Sequence, residues 1–257
     1  MFRCFFDSID STNTHAKQLI RTQNLPDEFS IIANSQTSGV GKRGVVWQSP
    51  VGNLYISIVL KIDKYFRMQD VGLISLLTSN AVRETISCYC AEQQGNLQIL
   101  SKWVNDIIVV EDNNNIGSKV SGILLEIESS PQKEDYLIIG IAVNLVHAPK
   151  LSKYNTTSLL DITSQKISNI AFADNLENNF FANLQEFTTD NASVVKKFKN
   201  NLFNFKKEIT VKLGDTIKTG ILNDITQEGY LVLEVGSNLE IITAGEVFGF
   251  EAPVIPA

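Results

Sequence analysis

A glycine-rich segment near the N-terminus restricts the folds open to this chain more than any other feature. Residues 36–44 read QTSGVGKRG and follow an apolar run, residues 29–33, that predicts a buried strand. The segment contains G-x-G-x-x-G, which marks a dinucleotide site only when a helix follows, because the helix N-terminus holds the pyrophosphate. Pro50 and Gly52 forbid a helix there. A P-loop is excluded too, since its first Gly and the Ser or Thr after Lys42 are missing.

What remains is a long ordered loop over residues 34–53. Loops of this length inside a compact domain are usually functional. The glycines let the backbone come close to a ligand, and Lys42 and Arg43 place two cations beside exposed N–H groups. We therefore expect the loop to close over phosphate oxygens. A surface turn with incidental charges is the alternative for the loop taken alone.

Hydrophobic periodicity predicts an α+β fold in two parts. Strands are predicted over residues 2–9, 29–33, 54–62, 97–103, 107–111, 119–127 and 136–144, and helices over 15–23, 71–90, 167–187 and 194–205. Three asparagines at 113–115 predict a hairpin turn, because Asn tolerates the left-handed backbone region. Short apolar runs at 209–213, 217–222, 231–235, 239–242 and 246–249 indicate a small barrel or sandwich. We predict one domain over residues 1–205 and a second over 206–257.

Composition excludes several classes of protein. The net charge is -6, from 22 basic and 28 acidic residues without basic runs, so no nucleic-acid partner is expected. Two His and three scattered Cys give no zinc spacing, and Cys4, Cys88 and Cys90 are predicted to be reduced thiols. The N-terminus is neither a signal peptide nor a membrane span, and the longest apolar runs have the length of strands. We expect no membrane partner and a cytoplasmic location.

Two further segments combine cations with polar residues. The first reads KWVND at residues 102–106, and the second reads KVSGILLE at 119–126. Taken singly, each has a simple structural explanation. Lys102 would be a charge at a strand end, Asn105 and Asp106 a turn, and Lys119 a solvated strand residue.

Together and in this order, the segments resemble the biotin–protein ligase family, and the resemblance covers nearly the whole chain. The family opens its catalytic domain with Asp-Ser-Thr-Asn, which residues 10–13 match. Its glycine loop and the W-x-S-P-x-G-N-L-Y run after it are similar to residues 39–55. Its K-W-P-N-D signature is similar to 102–106, and its K-x-x-G-I-L-x-E strand matches 119–126. A G-x-G-I-N segment is similar to 140–144.

Four positions depart from the family pattern. Val40 and Lys42 replace two loop arginines, Val104 replaces the Pro of the signature, and Ala142 replaces a Gly. Lysine keeps the charge of arginine but loses its bidentate fork. Val40 is the change most expected to loosen the hold on an adenylate. The motif residues that are retained imply an active enzyme.

The resemblance implies a fold, an activity and partners. The fold would be a mixed β-sheet catalytic core flanked by helices, of the class II synthetase-like type, with a small C-terminal SH3-like β-barrel. The enzyme would form biotinyl-5′-AMP from biotin and ATP, with Mg²⁺. It would then transfer biotin to a lysine of the biotin carboxyl carrier domain of a carboxylase. The chain begins at the catalytic strand, so we expect a ligase without a repressor domain. Whether it forms a homodimer stays open.

The resemblance also assigns residues to roles. Lys119 would contact the biotin carboxylate and the α-phosphate, Arg43 would close over the phosphates, and Asp106 would bind Mg²⁺. The biotin site would comprise Ser11, Thr12, Asn13, Gln36, Gly39, Gly41, Lys42, Lys119 and Gly122, and the ATP or adenylate site Arg43, Trp47, Lys102, Asn105 and Asn144. Two alternatives remain open: a lipoate–protein ligase, and a non-catalytic biotin sensor suggested by Val40 and Lys42.

Overall fold

A computed structural model of the chain describes residues 2–22, 25–93, 97–111, 116–150 and 154–248. The predicted α+β fold is confirmed: the described residues form a seven-stranded mixed sheet, flanked by helices, and a five-stranded antiparallel sheet. The predicted turn at 113–115 lies outside the described residues.

The first sheet forms the frame of the larger part. Its strands lie in the order β1-β2-β3-β7-β6-β5-β4, and only the β1–β2 pair is parallel among the pairs described. Ile58 on the third strand faces one apolar cluster and Val59 faces another, so this strand is covered on both sides. The strands are β1 (Phe2–Phe6), β2 (Glu28–Ala33), β3 (Leu54–Lys61), β4 (Leu97–Lys102), β5 (Asp106–Glu111), β6 (Gly117–Ser129) and β7 (Asp135–Val143).

Helices cover the two faces unequally. The helices are α1 (Thr12–Thr22), α2 (Val71–Tyr89), α3 (Leu159–Thr163), α4 (Asn169–Thr189) and α5 (Asn191–Asn200). α1 packs on one face, where Ala16 and Ile20, four residues apart, are fully buried. α2, α4 and α5 pack on the other face. Sequence periodicity missed α3, because five residues are too few to show a helical pattern.

Several predicted helix ends differ from the structure by two residues or more, and two of them have a clear local cause. The predicted helix over 194–205 is wrong at its C-terminus: α5 ends at Asn200. The chain there pairs with Ser101, whose N–H donates to Asn201 O at 2.8 Å while its carbonyl accepts from Phe203 N at 2.8 Å. α1 starts three residues before the predicted residue 15, and Thr14 N donates to Ser11 Oγ at 3.4 Å. Polar residues 12–14 therefore lie within the helix.

The second sheet packs directly onto the first part of the chain. Its strands are β8 (Glu208–Leu213), β9 (Thr216–Ile225), β10 (Leu231–Val235), β11 (Asn238–Ile242) and β12 (Glu246–Phe248), in the order β11-β10-β9-β8-β12. Its buried residues join the same apolar cluster as α2. Trp103 Nε1 donates to Gly229 O at 3.0 Å, and a Cβ on Gly229 would lie 3.1 Å from Leu76 of α2. The domain boundary near residue 206 stays a prediction.

Composition led to expectations about the cysteines and about membrane-spanning segments. Cys4, Cys88 and Cys90 are free thiols, as predicted. Within the described ranges, no helix is both long and apolar enough to cross a membrane.

Candidate functional site

A cavity of about 690 Å³ lies where the glycine loop meets β6, β7 and the second sheet. Its size falls in the range of roughly 300–1,000 Å³ that is typical of small-molecule sites. Residues at the start of α1, in the loop, in the 102–106 segment and at 243–248 all line it. Segments far apart in sequence therefore form one site.

Every residue predicted for the site lines this cavity except Gly39. A Cβ on Gly39 would lie 2.4 Å from Trp47 O and 2.5 Å from Ser49 Oγ, so this glycine is required for the packing of the loop on itself. The predicted residues that do line the cavity are Ser11, Thr12, Asn13, Gln36, Gly41, Lys42, Arg43, Trp47, Lys102, Asn105, Asp106, Lys119, Gly122 and Asn144.

One end of the cavity carries uncharged polar groups. Thr12, the first residue of α1, donates its N–H to Gln36 Oε1 at 2.9 Å and its hydroxyl to the same oxygen at 3.3 Å. Gln36 Nε2 donates to Ser49 Oγ at 2.9 Å. Ser11 and Thr12 are buried. Hydroxyls and an amide held in this way can bind a ligand group that is polar but uncharged.

Asn13 connects this polar end to two strands. Its Oδ1 accepts from Ser57 Oγ on β3 at 2.6 Å, and its Nδ2 donates to Glu126 Oε2 on β6 at 2.9 Å. Gly140 on β7 provides the room, because a Cβ there would lie 2.3 Å from Asn13 Oδ1. Asn13 is thus held between three strands of the sheet.

The other end of the cavity carries charges. Asp106 Oδ1 lies 2.8 Å from Lys119 Nζ, and its Oδ2 lies 3.9 Å from Lys102 Nζ. Burial raises the pKa of Asp106, but the two lysines outweigh it and hold the pKa below its usual value. The carboxylate is therefore ionised at neutral pH, and it fixes the position of the Lys119 ammonium.

Aromatic rings flank this ammonium. Lys119 Nζ lies 5.1 Å from the Trp47 ring centroid and 5.5 Å from that of Tyr154. Gly122 allows the indole to lie against β6, since a Cβ there would be 2.9 Å from Trp47 Cζ3. Tyr154 was missed by the sequence reasoning. A parallel bridge between Lys119 and Thr156 brings it into place, and no local pattern indicates that pairing.

Two predicted asparagines hold backbone segments in place. Asn105 Nδ2 donates to Ile123 O at 2.8 Å, and Ile123 N donates back to Asn105 O at 2.8 Å, which fastens the turn before β5 onto β6. Asn144 Nδ2 donates to Thr157 O at 3.1 Å and so fixes the segment that carries Tyr154. Both side chains thus maintain the shape of the charged end.

The second sheet contributes a wall that the sequence did not reveal. Residues 243–248 line the cavity, and Glu246 Oε2 lies 3.5 Å from Arg43 Nη1 of the glycine loop. Both side chains are about half exposed, so this pair adds little stability. It does place the Arg43 guanidinium at the mouth of the cavity.

The described residues contain no group of three or more His, Cys, Asp or Glu side chains that could hold a metal ion. Mg²⁺ commonly binds through one or two carboxylates together with substrate phosphates. The ionised Asp106 fits such a site as a protein ligand, provided that the phosphates supply most of the oxygens.

Lys42 gives the loop a pH-dependent charge. The residue lines the cavity, although it is exposed as a whole. Desolvation, together with Lys119 and Arg43, lowers the pKa of its ammonium to about 8, and Asp106 and Glu246 act in the opposite direction. The positive charge is present below this pKa and is lost as the pH rises through it.

We expect the affinity of the site for a phosphate-bearing ligand to fall as the pH rises from about 7 to about 9. Lys42→Arg should remove most of this fall, because guanidinium keeps its charge over that range. Nucleotide affinity measured across the range tests this, with Lys196→Arg on the exposed side of α5 as the control. Identical pH profiles for the wild type and Lys42→Arg would contradict the role of Lys42.

Comparisons with known proteins bear on this arrangement. Residues 5–144 match the model of the biotin/lipoate A/B protein ligase family, and residues 207–248 match the biotin protein ligase C-terminal domain. The biotin–[acetyl-CoA-carboxylase] ligase of Paracoccus denitrificans is 27% identical over 249 residues, covering 93% of this chain and 97% of that protein. Its counterpart in Mycobacterium tuberculosis is 25% identical over 223 residues, covering 86% and 79%.

Solved structures share the fold. A biotin protein ligase from Aquifex aeolicus, in complex with biotin and ATP, aligns with a TM-score of 0.77 at 24% identity, over 96% of this chain and 97% of that one. The Leishmania major ligase in complex with biotinyl-5-AMP aligns with a TM-score of 0.65 at 21% identity, over 95% and 99%.

Proposed function

Because this chain belongs to the biotin/lipoate A/B protein ligase family and is a ligase, we propose that it forms biotinyl-5′-AMP from biotin and ATP and transfers biotin to a carrier-domain lysine. The observation that supports this most directly is the polarity of the cavity. Uncharged hydrogen-bonding groups lie at one end, and the Lys119 ammonium, paired with Asp106, lies at the other. Biotin has the matching polarity, with an uncharged ureido ring and a carboxylate.

In the first step a biotin carboxylate oxygen attacks the α-phosphorus of ATP. The new C–O–P linkage forms as the bond to the β-phosphate oxygen breaks and pyrophosphate leaves. Positioning and neutralisation of charge on the phosphoryl oxygens supply most of the catalysis. Lys119 suits the junction of the two reacting groups, because its compact ammonium can face both the carboxylate and the α-phosphate.

The loop and the 102–106 segment would hold the nucleotide. Arg43 and Lys42 would close over the phosphates, and Trp47 would pack against the adenine. Asp106, with the phosphates, would hold a magnesium ion, and such an ion would supply positive charge beside the phosphoryl oxygens. Loop closure would also exclude water from the mixed anhydride, which is prone to hydrolysis.

In the second step an acceptor lysine, as a neutral amine, attacks the acyl carbon. An amide bond forms, the bond between the acyl carbon and the phosphate oxygen breaks, AMP leaves, and the nitrogen gives up one proton to water. The acceptor we propose is the biotin carboxyl carrier domain of a carboxylase, as the names of two relatives suggest. We place this reaction in a reducing compartment such as the cytoplasm, which suits three free thiols.

Transfer of labelled biotin to a carrier domain tests the proposal. The chain is incubated with ATP, a carrier domain and either labelled biotin or labelled lipoic acid. We expect labelling of one carrier lysine with biotin and ATP together, and none when ATP is omitted. Transfer of lipoic acid alone would support the lipoate ligase instead. Tight binding of biotin without transfer would support the non-catalytic sensor.

A further inference from the structure

Glu126 is a carboxylate that no step of the proposed reaction uses. It lies on β6, the strand that also carries Lys119. Its Oε2 accepts from Asn13 Nδ2 at 2.9 Å, and its Oε1 accepts from Lys17 Nζ at 2.6 Å. Both partners belong to α1, one turn apart. Both oxygens of one carboxylate therefore bind the first two turns of this helix.

The Asn13 side chain is also fixed from its other side. Its Oδ1 accepts from Ser57 Oγ, the residue is 4% exposed, and the absence of a side chain on Gly140 leaves just enough room for the amide. An amide held at both ends cannot rotate without losing a buried hydrogen bond. Asn13 therefore transmits the position of Glu126 to the helix backbone.

The helix turn held in this way carries the polar end of the cavity. Ser11 and Thr12 immediately precede Asn13, and Thr12 is joined to Gln36 through its N–H and its hydroxyl. Asp10 precedes this turn and accepts from Ser11 N at 2.7 Å, whereas Glu126 reaches the turn from β6 through the Asn13 side chain.

We propose that Glu126, acting through Asn13 and Lys17, is a positioning residue that holds Ser11 and Thr12 in place to bind the ureido ring. This role rests on the proposed function. Two residues of β6 thus have different roles: Lys119 acts at the carboxylate end of biotin, and Glu126 supports the other end from outside the cavity.

The chain contains a matched control two residues further along the same strand. Glu128 accepts from Arg21 Nε at 2.9 Å and from Arg21 Nη2 at 2.8 Å, so it also joins β6 to α1. Arg21 lies in the last turn of α1, away from Ser11 and Thr12, and is largely exposed. Glu128 thus makes the same kind of strand-to-helix ion pair without supporting the polar end.

The test compares Glu126→Leu with Glu128→Leu in the full chain. The readouts are the Kd for biotin without nucleotide and the KM for ATP at saturating biotin. We expect Glu126→Leu to raise the biotin Kd by about tenfold or more, the effect of losing hydrogen bonds to a charged group. The KM for ATP should change less than about twofold, and Glu128→Leu should change neither value by more than about twofold.

A second pair of variants keeps the test decisive if Glu126→Leu does not fold. Lys17→Met should then weaken biotin binding more than Arg21→Met does. Glu126→Gln should lose less biotin affinity than the double variant Lys17→Met/Asn13→Ala, because the Gln oxygen still accepts from Asn13. Equal effects of the Glu126 and Glu128 variants, or parallel losses for biotin and ATP, would overturn the inference alone. Failure of the wild type to bind biotin would overturn the proposed function as well.

Discussion

Substituting Lys119 by Gln is expected to reduce biotin-dependent exchange of pyrophosphate into ATP by roughly 100- to 1,000-fold. The ammonium is the cation held where carboxylate and α-phosphate are proposed to meet, with Asp106 at 2.8 Å and an indole ring beside it. Glutamine keeps a hydrogen-bond donor, one bond closer to the backbone, but removes the charge. The variant should fold, since Lys102 still faces the Asp106 carboxylate at 3.9 Å.

Exchange is measured with saturating biotin and ATP, so that a change in binding does not mask a change in the chemical step. Lys196→Gln, on the exposed side of α5, is the matched control and should leave exchange unchanged. Near wild-type exchange by folded Lys119→Gln would remove this ammonium from the mechanism.

Gly140→Ala should damage both the fold and the biotin end of the site. The added methyl group would lie 2.3 Å from Asn13 Oδ1, and the Asn13 amide cannot retreat because Ser57 and Glu126 hold it. Overpacking of this kind costs about 1–3 kcal/mol. We expect the free energy of unfolding to fall by that amount and biotin affinity to fall more than about tenfold, as the first turn of α1 is displaced.

Denaturant unfolding and biotin titration measure the two effects separately. Gly72→Ala provides the comparison, because a Cβ there meets only Glu228 O at an ordinary 3.5 Å. That variant should keep both properties. An unchanged biotin Kd in Gly140→Ala would show that Asn13 does not support the site.

Local chemistry allowed much of the fold to be predicted. Pro50 and Gly52 exclude a helix after the glycine loop whatever surrounds them, and the apolar runs on both sides of the loop form strands. The end of α5 could not be predicted in this way. Leu202 continues the apolar spacing of the helix, but it pairs with Ser101, about a hundred positions earlier in the chain. Propensity is a weak guide wherever a distant backbone competes.

The site, too, combines residues that local sequence identifies with residues that only distant contacts bring together. Residues within contiguous motifs, such as Thr12, Lys119 and Asp106, could be placed at the cavity from sequence because their neighbours identify them. Tyr154 and Glu246 stand in segments without a motif, and they reach the cavity through a bridge to β6 and through the packing of the second sheet. Only the three-dimensional arrangement brings them to the charged end. Substituting Tyr154 or Glu246 would measure what each side chain contributes to ligand binding.

The buried contact between Trp103 and Gly229 has a consequence for folding. Residues 5–144 and 207–248 match two separate family models, yet Ile209, Val211 and Leu233 belong to the same apolar cluster as α2. Deleting the smaller segment would expose that cluster to water and remove a wall of the cavity at the same time. The two segments should therefore unfold together in one cooperative transition, although separate family models match them.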